Sequence, residues 1–528
     1  MVFRTIATSV ALLVGLAVVG SVAGPTWDPV PVTDHLEPAS SDTTVHGADA
    51  PGVTTGEIGD HAVRTTDVTI ELDGATVHGL VRQPLDADGQ VLTDRPGVVF
   101  VHGAGTGDAA EAFVDTAELL ASAGIVTLVP DKRLDTYSTR DRDYEAMAAD
   151  YARSVAFLRG TDGVDPDRVG LYGESEGTWI VPVMQARDPS IAFTVLVSAP
   201  VVPPREQAAY AVDNYLRNTG VPGQVFRAIP RAVGMQLPGG GFGYADFDVR
   251  PWLERQSAPV LVVYGTADPS MPIEQGARLI VADTAVSPDD APVTVRYYGG
   301  ADHGIRLRDL PPDGPNGEYP LHPDFPRDLA AWVQGLPATA ESPPQIAGAT
   351  PDQHYLAAPV PRPRWWGNGD VVVAVVVAGT GLVVLALAAW GVAVLARRLM
   401  GRRGGVTGRR FAPGVAAPLV TLGLAAIATV VALALYLLVV ARLALDYERD
   451  ALLVQGGWVA VRLLGVVAVV AAAILLQRVT DRRSRRRSDR DVVLADGAVA
   501  HLTLWAVLVG SASLLVTLAY WGVYQLGI

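Results

Sequence analysis

Val169-Gly170-Leu171-Tyr172-Gly173-Glu174-Ser175-Glu176-Gly177 is the stretch on which the fold turns. Val169–Tyr172 is a short apolar run of the kind that makes a buried strand. The residues after Gly177 continue as a helix to about Gln185. Between them a serine stands two residues from a glycine on each side. Glycines at these positions permit a sharp, strained turn that lifts the Ser175 side chain clear of the backbone.

Working outward, strand and helix alternate from about 61 to 338. Val68–Leu72 and Val77–Gln83 flank Asp73-Gly74, a hairpin signal. Gly97–Val101, Ile125–Val129, Phe193–Val197, Val260–Tyr264 and Val293–Tyr298 are further strands. Ala110–Ala123, Tyr144–Leu158 and Phe325–Gln334 have helical spacing, and Gly124 and Gly160 stop the first two. This alternation implies an α/β unit: a mostly parallel sheet with helices on both faces. Residues 199–250 interrupt it with Pro203, Pro204, Pro222, Pro230, Pro238 and the run Gly239–Gly241, and read as a cap insertion over the strand ends. Ligands bind at the carboxyl ends of strands in such sheets.

Three more motifs follow strands. Gly265-Thr266-Ala267-Asp268 supplies an acid, and Gly300-Ala301-Asp302-His303-Gly304 supplies a base. The order Ser175, Asp268, His303, each at a strand end, suits nucleophilic acyl transfer: His303 takes the serine proton and Asp268 orients the imidazole. His102-Gly103-Ala104-Gly105 follows Gly97–Val101. Its small residues let backbone amides face an oxyanion, with Ala104 and Glu176 as the expected donors. His102 reads as shaping that turn and not as the base. The same stretch fails as a dinucleotide loop, because the third glycine position is Asp108. Glu174 and Glu176 flank the serine. Either they project into the helix start, where negative charge is favoured, or they recognise a substrate amine.

The ends of the chain carry a different signal. Arg4 precedes the apolar run Ile6–Val22, and Ser21-Val22-Ala23 resembles a cleavage site before Gly24. Residues 1–24 read as a secretory signal peptide, with an uncleaved anchor as the alternative. Residues 25–60 are rich in Pro, Asp, Ser, Thr and Gly and read as a poorly ordered linker. After a second linker at 339–370 come four apolar runs within 371–528: Val371–Leu395, Val415–Val440, Leu452–Leu476 and Ala498–Leu526. Each meets the roughly 20 residues needed to cross a bilayer. Six Arg between 397 and 410 and seven between 478 and 490 place those two loops in the cytoplasm. The segment before Val371 is then extracytoplasmic. Trp365, Trp366, Tyr520, Trp521 and Tyr524 fall at the outer interface as an aromatic belt. Arg442, Arg462 and His501 read as snorkelling groups near span ends, and Gly510–Ser513 as a close-packing patch.

Composition agrees. The 528 residues are 49% hydrophobic and only 18% charged, against about 25% charged in soluble chains, and mean hydropathy is +0.27. Residues 371–528 hold 16 Arg against 7 acidic residues, whereas the first 370 hold 25 basic against 48 acidic. An acidic body excludes a nucleic-acid partner, whose footprint would be basic over the folded domain. Without cysteine there is no thiolate nucleophile and no cysteine zinc site. No metal-ligand cluster stands out, and no cofactor is expected. Lys132 is the only lysine, against 40 Arg, an imbalance that reads as coding bias and not chemistry.

On these four motifs, residues 61–338 resemble the α/β-hydrolase superfamily. Asp131-Lys132-Arg133, Gly173–Gly177 and Val197-Ser198-Ala199-Pro200 are similar to bacterial enzymes of the dienelactone-hydrolase, acyl-thioesterase and prolyl-oligopeptidase-like branches. The resemblance implies an α/β-hydrolase fold and an esterase, thioesterase or peptidase of a bacterial envelope. There are departures. Leu134 stands where a glycine often follows the Lys-Arg pair, no β-propeller is present, and the cysteine of dienelactone hydrolases proper is missing.

The expectation is therefore an α/β-hydrolase domain followed by an all-α four-helix transmembrane region, multi-pass in the plasma membrane with the catalytic part outside. Ser175, Asp268 and His303 would cleave a small-molecule, lipid or cell-wall ester, with membrane lipid as the other partner. Peptide, amide or thioester hydrolysis is the nearest alternative. A transporter or sensor whose hydrolase-like part only binds ligand is the alternative of another class, and the spans carry few of the buried ionisable groups that transport paths show.

Overall fold

The computed structural model describes residues 2–525 apart from 49, 51–52, 54, 237–241, 287–290, 313–316, 401–410 and 487–493. The Gly239–Gly241 run and most of both arginine-rich loops lie outside the described residues. The chain forms two units. One comprises Pro29–Ala211 with Gly241–Pro359, and the other Met1–Asp28, Val212–Gly240 and Val360–Ile528.

The first unit is built on nine strands: β1 (Ala62–Glu71), β2 (Thr76–Leu85), β3 (Arg95–Val101), β4 (Val126–Pro130), β5 (Val164–Glu174), β6 (Thr194–Val197), β7 (Val260–Gly265), β8 (Val293–Tyr298) and β9 (Ile346–Gly348). Their spatial order is β1-β2-β4-β3-β5-β6-β7-β8-β9. β2 pairs antiparallel with β1 and β4, and all pairs from β4 to β9 are parallel. This is the mostly parallel sheet expected. The central strands are apolar throughout because both faces are covered. Val99, Val101, Leu171 and Val262 pack under helices Tyr144–Arg159, Gly177–Arg187 and Ile273–Thr284. Val98, Phe100, Tyr172 and Val263 pack under Val114–Ser122 and Asp324–Gly335.

Two stretches that read as linker are held by the sheet unit. β9 lies in the second of them and pairs with β8. The arm before β1 is tied down as well: Gly348 N donates to Ser40 O at 2.8 Å, and Leu36 N to the buried Glu274 carboxylate at 2.6 Å. Buried Arg296 donates to Thr43 O at 2.9 Å and to Ser342 O at 3.2 Å. The backbone of a polar, aperiodic segment thus finds its partners in two ionisable side chains far along the chain.

Five described helices are long and apolar enough to cross a membrane, one more than the four expected. The additional one is Val2–Val22. Within its unit it packs along helices Gly457–Arg486 and Ala498–Tyr520. At one end Thr5 Oγ1 donates to Gln477 Oε1 at 2.9 Å, and Arg4 lies 3.7 Å from Asp481. At the other, Gln525 Nε2 donates to Ala17 O at 3.2 Å. Gly20 is required by close approach, since a Cβ there would lie 2.2 Å from Ala519 O. The Gly510 patch is a similar contact, 2.6 Å from Gly379 O for the same hypothetical atom.

Residues Val212–Gly240, inside the stretch expected to cap the strand ends, belong to this helical unit. Arg231, fully buried, donates to Gly20 O at 3.0 Å and Pro25 O at 3.2 Å. It caps the carboxyl end of Val2–Val22, where helix carbonyls lack partners. Gln455 Nε2 donates to Gly220 O at 2.7 Å. Arg462 Nη2 donates to Gln525 O at 2.6 Å, so this arginine is engaged by backbone and does more than snorkel.

Candidate active site

β5 ends at Glu174, and Ser175 turns the chain into helix Gly177–Arg187 with φ +55°. A non-glycine residue in the left-handed region costs roughly 1–3 kcal/mol and persists only where its surroundings hold it. Here Ser175 N donates to Val197 O at 3.0 Å, and Thr178 N returns to Ser175 O at 3.0 Å. Gly177 has no room for a side chain, because a Cβ would lie 2.4 Å from Val101 O. The strain is thus stored by contacts with the ends of β3 and β6.

Asp268 follows β7 and His303 follows β8, and the structure brings them together. Asp268 Oδ2 lies 2.7 Å from His303 Nδ1. Burial opposes the charge on Asp268. It is outweighed by His303, by the Ser270 hydroxyl donating at 2.6 Å and by the Ser270 amide at 2.8 Å, so its pKa lies below the ordinary value. The imidazole keeps 30% of its surface exposed. Burial pulls its pKa down, but Asp268, Glu174 and Asp302 more than compensate and raise it to about 9. Ser198 Oγ donates to His303 O at 2.7 Å. Ser175 and His303 are thereby anchored to successive residues, Val197 and Ser198, at the carboxyl end of β6.

The turn after β3 packs against the serine turn. A Cβ on Gly103 would lie 3.1 Å from Glu174 O and 3.2 Å from Ser175 Cβ. Among the described residues, the amides of Ala104 and Glu176 donate to no backbone carbonyl, as oxyanion donors require. His102 is buried, with Nε2 2.7 Å from Pro130 O. Burial pushes its pKa down to about 4, so it is neutral and braces the turn.

The two glutamates differ. Glu176 is 1% exposed and occupied by Lys132, Arg142 at 2.5 Å and the Tyr137 hydroxyl at 2.9 Å, so it cannot meet a substrate amine. Glu174 keeps partial exposure and accepts from Tyr172 Oη at 3.3 Å. Burial raises its pKa. The sequence does not single out Ser270, and Ser198 and Lys132 enter it only within the motifs of the resemblance, without a role. Asp268-Pro269-Ser270 does carry a local signal, since an Asp accepting from the amide two residues on is a common turn. The contacts of the other two residues span 29 to 105 positions and leave no local pattern. Among the described residues, no group of three His, Cys, Asp or Glu could hold a metal.

No protein-family model matches the sequence, and a search of curated proteins finds no relative. Solved structures do match. An esterase from Pyrobaculum calidifontis shares 19% identity over 53% of this chain and 86% of its own, with a TM-score of 0.37. Est1E from Butyrivibrio proteoclasticus shares 16% over 45% of this chain and 90% of its own, TM-score 0.31. A chain from Klebsiella pneumoniae classed provisionally as a dienelactone hydrolase shares 16% over 53% of this chain and 99% of its own, TM-score 0.35.

Proposed function

We propose that this is a membrane-anchored, extracytoplasmic serine hydrolase that cleaves carboxylic esters through an acyl-enzyme. The observation that carries it is the strained Ser175 turn and the Asp268–His303 couple, tied to the successive residues Val197 and Ser198 at the end of β6. Nδ1 of His303 faces Asp268, which leaves Nε2 for the serine. Ser175 Oγ attacks the acyl carbon while His303 takes its proton, and the oxyanion is held by the Ala104 and Glu176 amides. The tetrahedral intermediate expels the alkoxide, which takes the proton from His303. Water, deprotonated by the same imidazole, then releases the acid. Thioester and amide substrates fit the same machinery and are separated from esters by the substrate panel below.

Five helices able to span a bilayer support the membrane assignment. Contacts within the helical unit support the topology: the residues near Arg4 meet those near Asp481, and Gly20 meets the residues near Ala519. These are the ends that the arginine loops place inside and outside, respectively. The test is hydrolysis of matched ester, thioester and amide substrates by detergent-purified protein. Ester turnover should be fastest and should vanish in Ser175→Ala. Asp268→Asn should lower kcat by about 10³–10⁴-fold, as loss of the orienting acid does in such triads. Ester turnover that survives Ser175→Ala would sink the reading.

A further inference from the structure

Lys132 is the only lysine in a chain with 40 arginines. Coding bias accounts for the arginines but not for the exception. The Lys132 side chain is 1% exposed and donates to Gly103 O at 2.5 Å and Glu176 Oε2 at 3.1 Å. Gly103 immediately precedes Ala104, and Glu176 immediately follows Ser175. One cation therefore grips both segments whose amides line the oxyanion pocket. Its own turn secures the glycine loop further on: Lys132 N donates to Gly107 O at 2.8 Å, and Ala109 N to Asp131 Oδ1 at 2.8 Å.

Chemistry explains why arginine does not serve here. The compact ammonium lies 4.4 Å from the Tyr137 ring centroid and reaches both a carbonyl and a carboxylate. A planar guanidinium is larger and presents its donors in a rigid fork. A buried ion pair is weak evidence for a stability role, because well-packed apolar residues in place of both partners often cost nothing. What an apolar side chain cannot do is link Gly103 O to Glu176.

We propose that Lys132 is a positioning residue for the oxyanion pocket: by tying Gly103 O to the Glu176 carboxylate, it fixes the spacing and aim of the Ala104 and Glu176 amides. The proposal rests on the serine-hydrolase reading above. Its effect belongs to the transition state, since the amides meet full negative charge only there. Burial lowers the Lys132 pKa and Glu176 acts against that, in keeping with an ammonium held by its carboxylate.

The test compares wild type, Lys132→Met, Lys132→Arg and the double variant Lys132→Met with Glu176→Gln. Glu176 retains Arg142 in Lys132→Met, so no charge is stranded. Lys132→Met should lower kcat about 100-fold, the scale of a lost oxyanion donor, with KM within about threefold. Lys132→Arg should not rescue it, and adding Glu176→Gln to Lys132→Met should lower kcat by far less than 100-fold again, because the Lys132 link is already gone, while the lost Arg142 pair shows in a separate stability measurement. A second readout does not need turnover. Protein labelled with ¹⁵N-lysine has one side-chain ammonium signal, which should shift when a fluorophosphonate modifies Ser175 and fills the pocket. A reactive wild type with unchanged kcat in Lys132→Met, or an active Lys132→Arg, overturns the proposal alone. A wild type inert to both ester and phosphonate overturns the serine-hydrolase reading, and the proposal with it.

Discussion

Whether His303 can take a proton depends on the carboxylates around it. Asp268, Glu174 and Asp302 together raise its pKa to about 9, so at neutral pH the free imidazole is mostly protonated. The base form is needed for attack, and kcat/KM should therefore climb about tenfold per pH unit up to about 8 and level off above 9. Glu174→Gln removes one of these carboxylates, so the limb should move to lower pH and activity at pH 7 should rise. An unmoved limb in a pH–rate series would show that Glu174 does not act on His303. The same proton affinity has a stability sign. The couple contributes most below the ordinary pKa of 6.5 and loses that contribution as pH rises through about 9.

At the scale of elements, the strands that place the site were legible and the segments that brace it were not. Val98–Val101 and Val260–Val263 are buried on both faces and so read as unbroken apolar runs. The serine turn, the Asp and the His each follow such a run, which is why their order carried meaning. The three residues of β9, by contrast, sit among prolines and serines, and the arm at 29–48 has no periodicity. Their partners, Glu274 and Arg296, are more than 220 residues from the arm. Lys132 has no legible role in the sequence for the same reason: its contacts lie 29 and 44 residues away. Arg296→Met should leave the carbonyls of Thr43 and Ser342 unpaired and cost about 2–3 kcal/mol. Chemical denaturation would measure the loss, and proteolysis of the variant should begin in the arm. Unchanged stability and cleavage would show that the arm is held without Arg296.

For the whole molecule, the start of the chain is where two readings of the sequence part, a cleaved leader and a retained span. An apolar run ending in small residues is ambiguous between a cleaved leader and a span. Val2–Val22 has polar contacts at both ends with other apolar helices and a carboxyl-terminal cap from Arg231. Those contacts favour a retained span, and protein carrying an amino-terminal tag should keep it after export. Quantitative loss of the tag from the mature protein would contradict retention. The most direct test of the central claim is labelling of intact cells with a membrane-impermeant fluorophosphonate, comparing wild type with Ser175→Ala. An activated extracytoplasmic Ser175 predicts a labelled band of about 55 kDa that is absent from the variant. Labelling only after lysis would contradict the topology, and equal labelling of the variant would contradict the nucleophile.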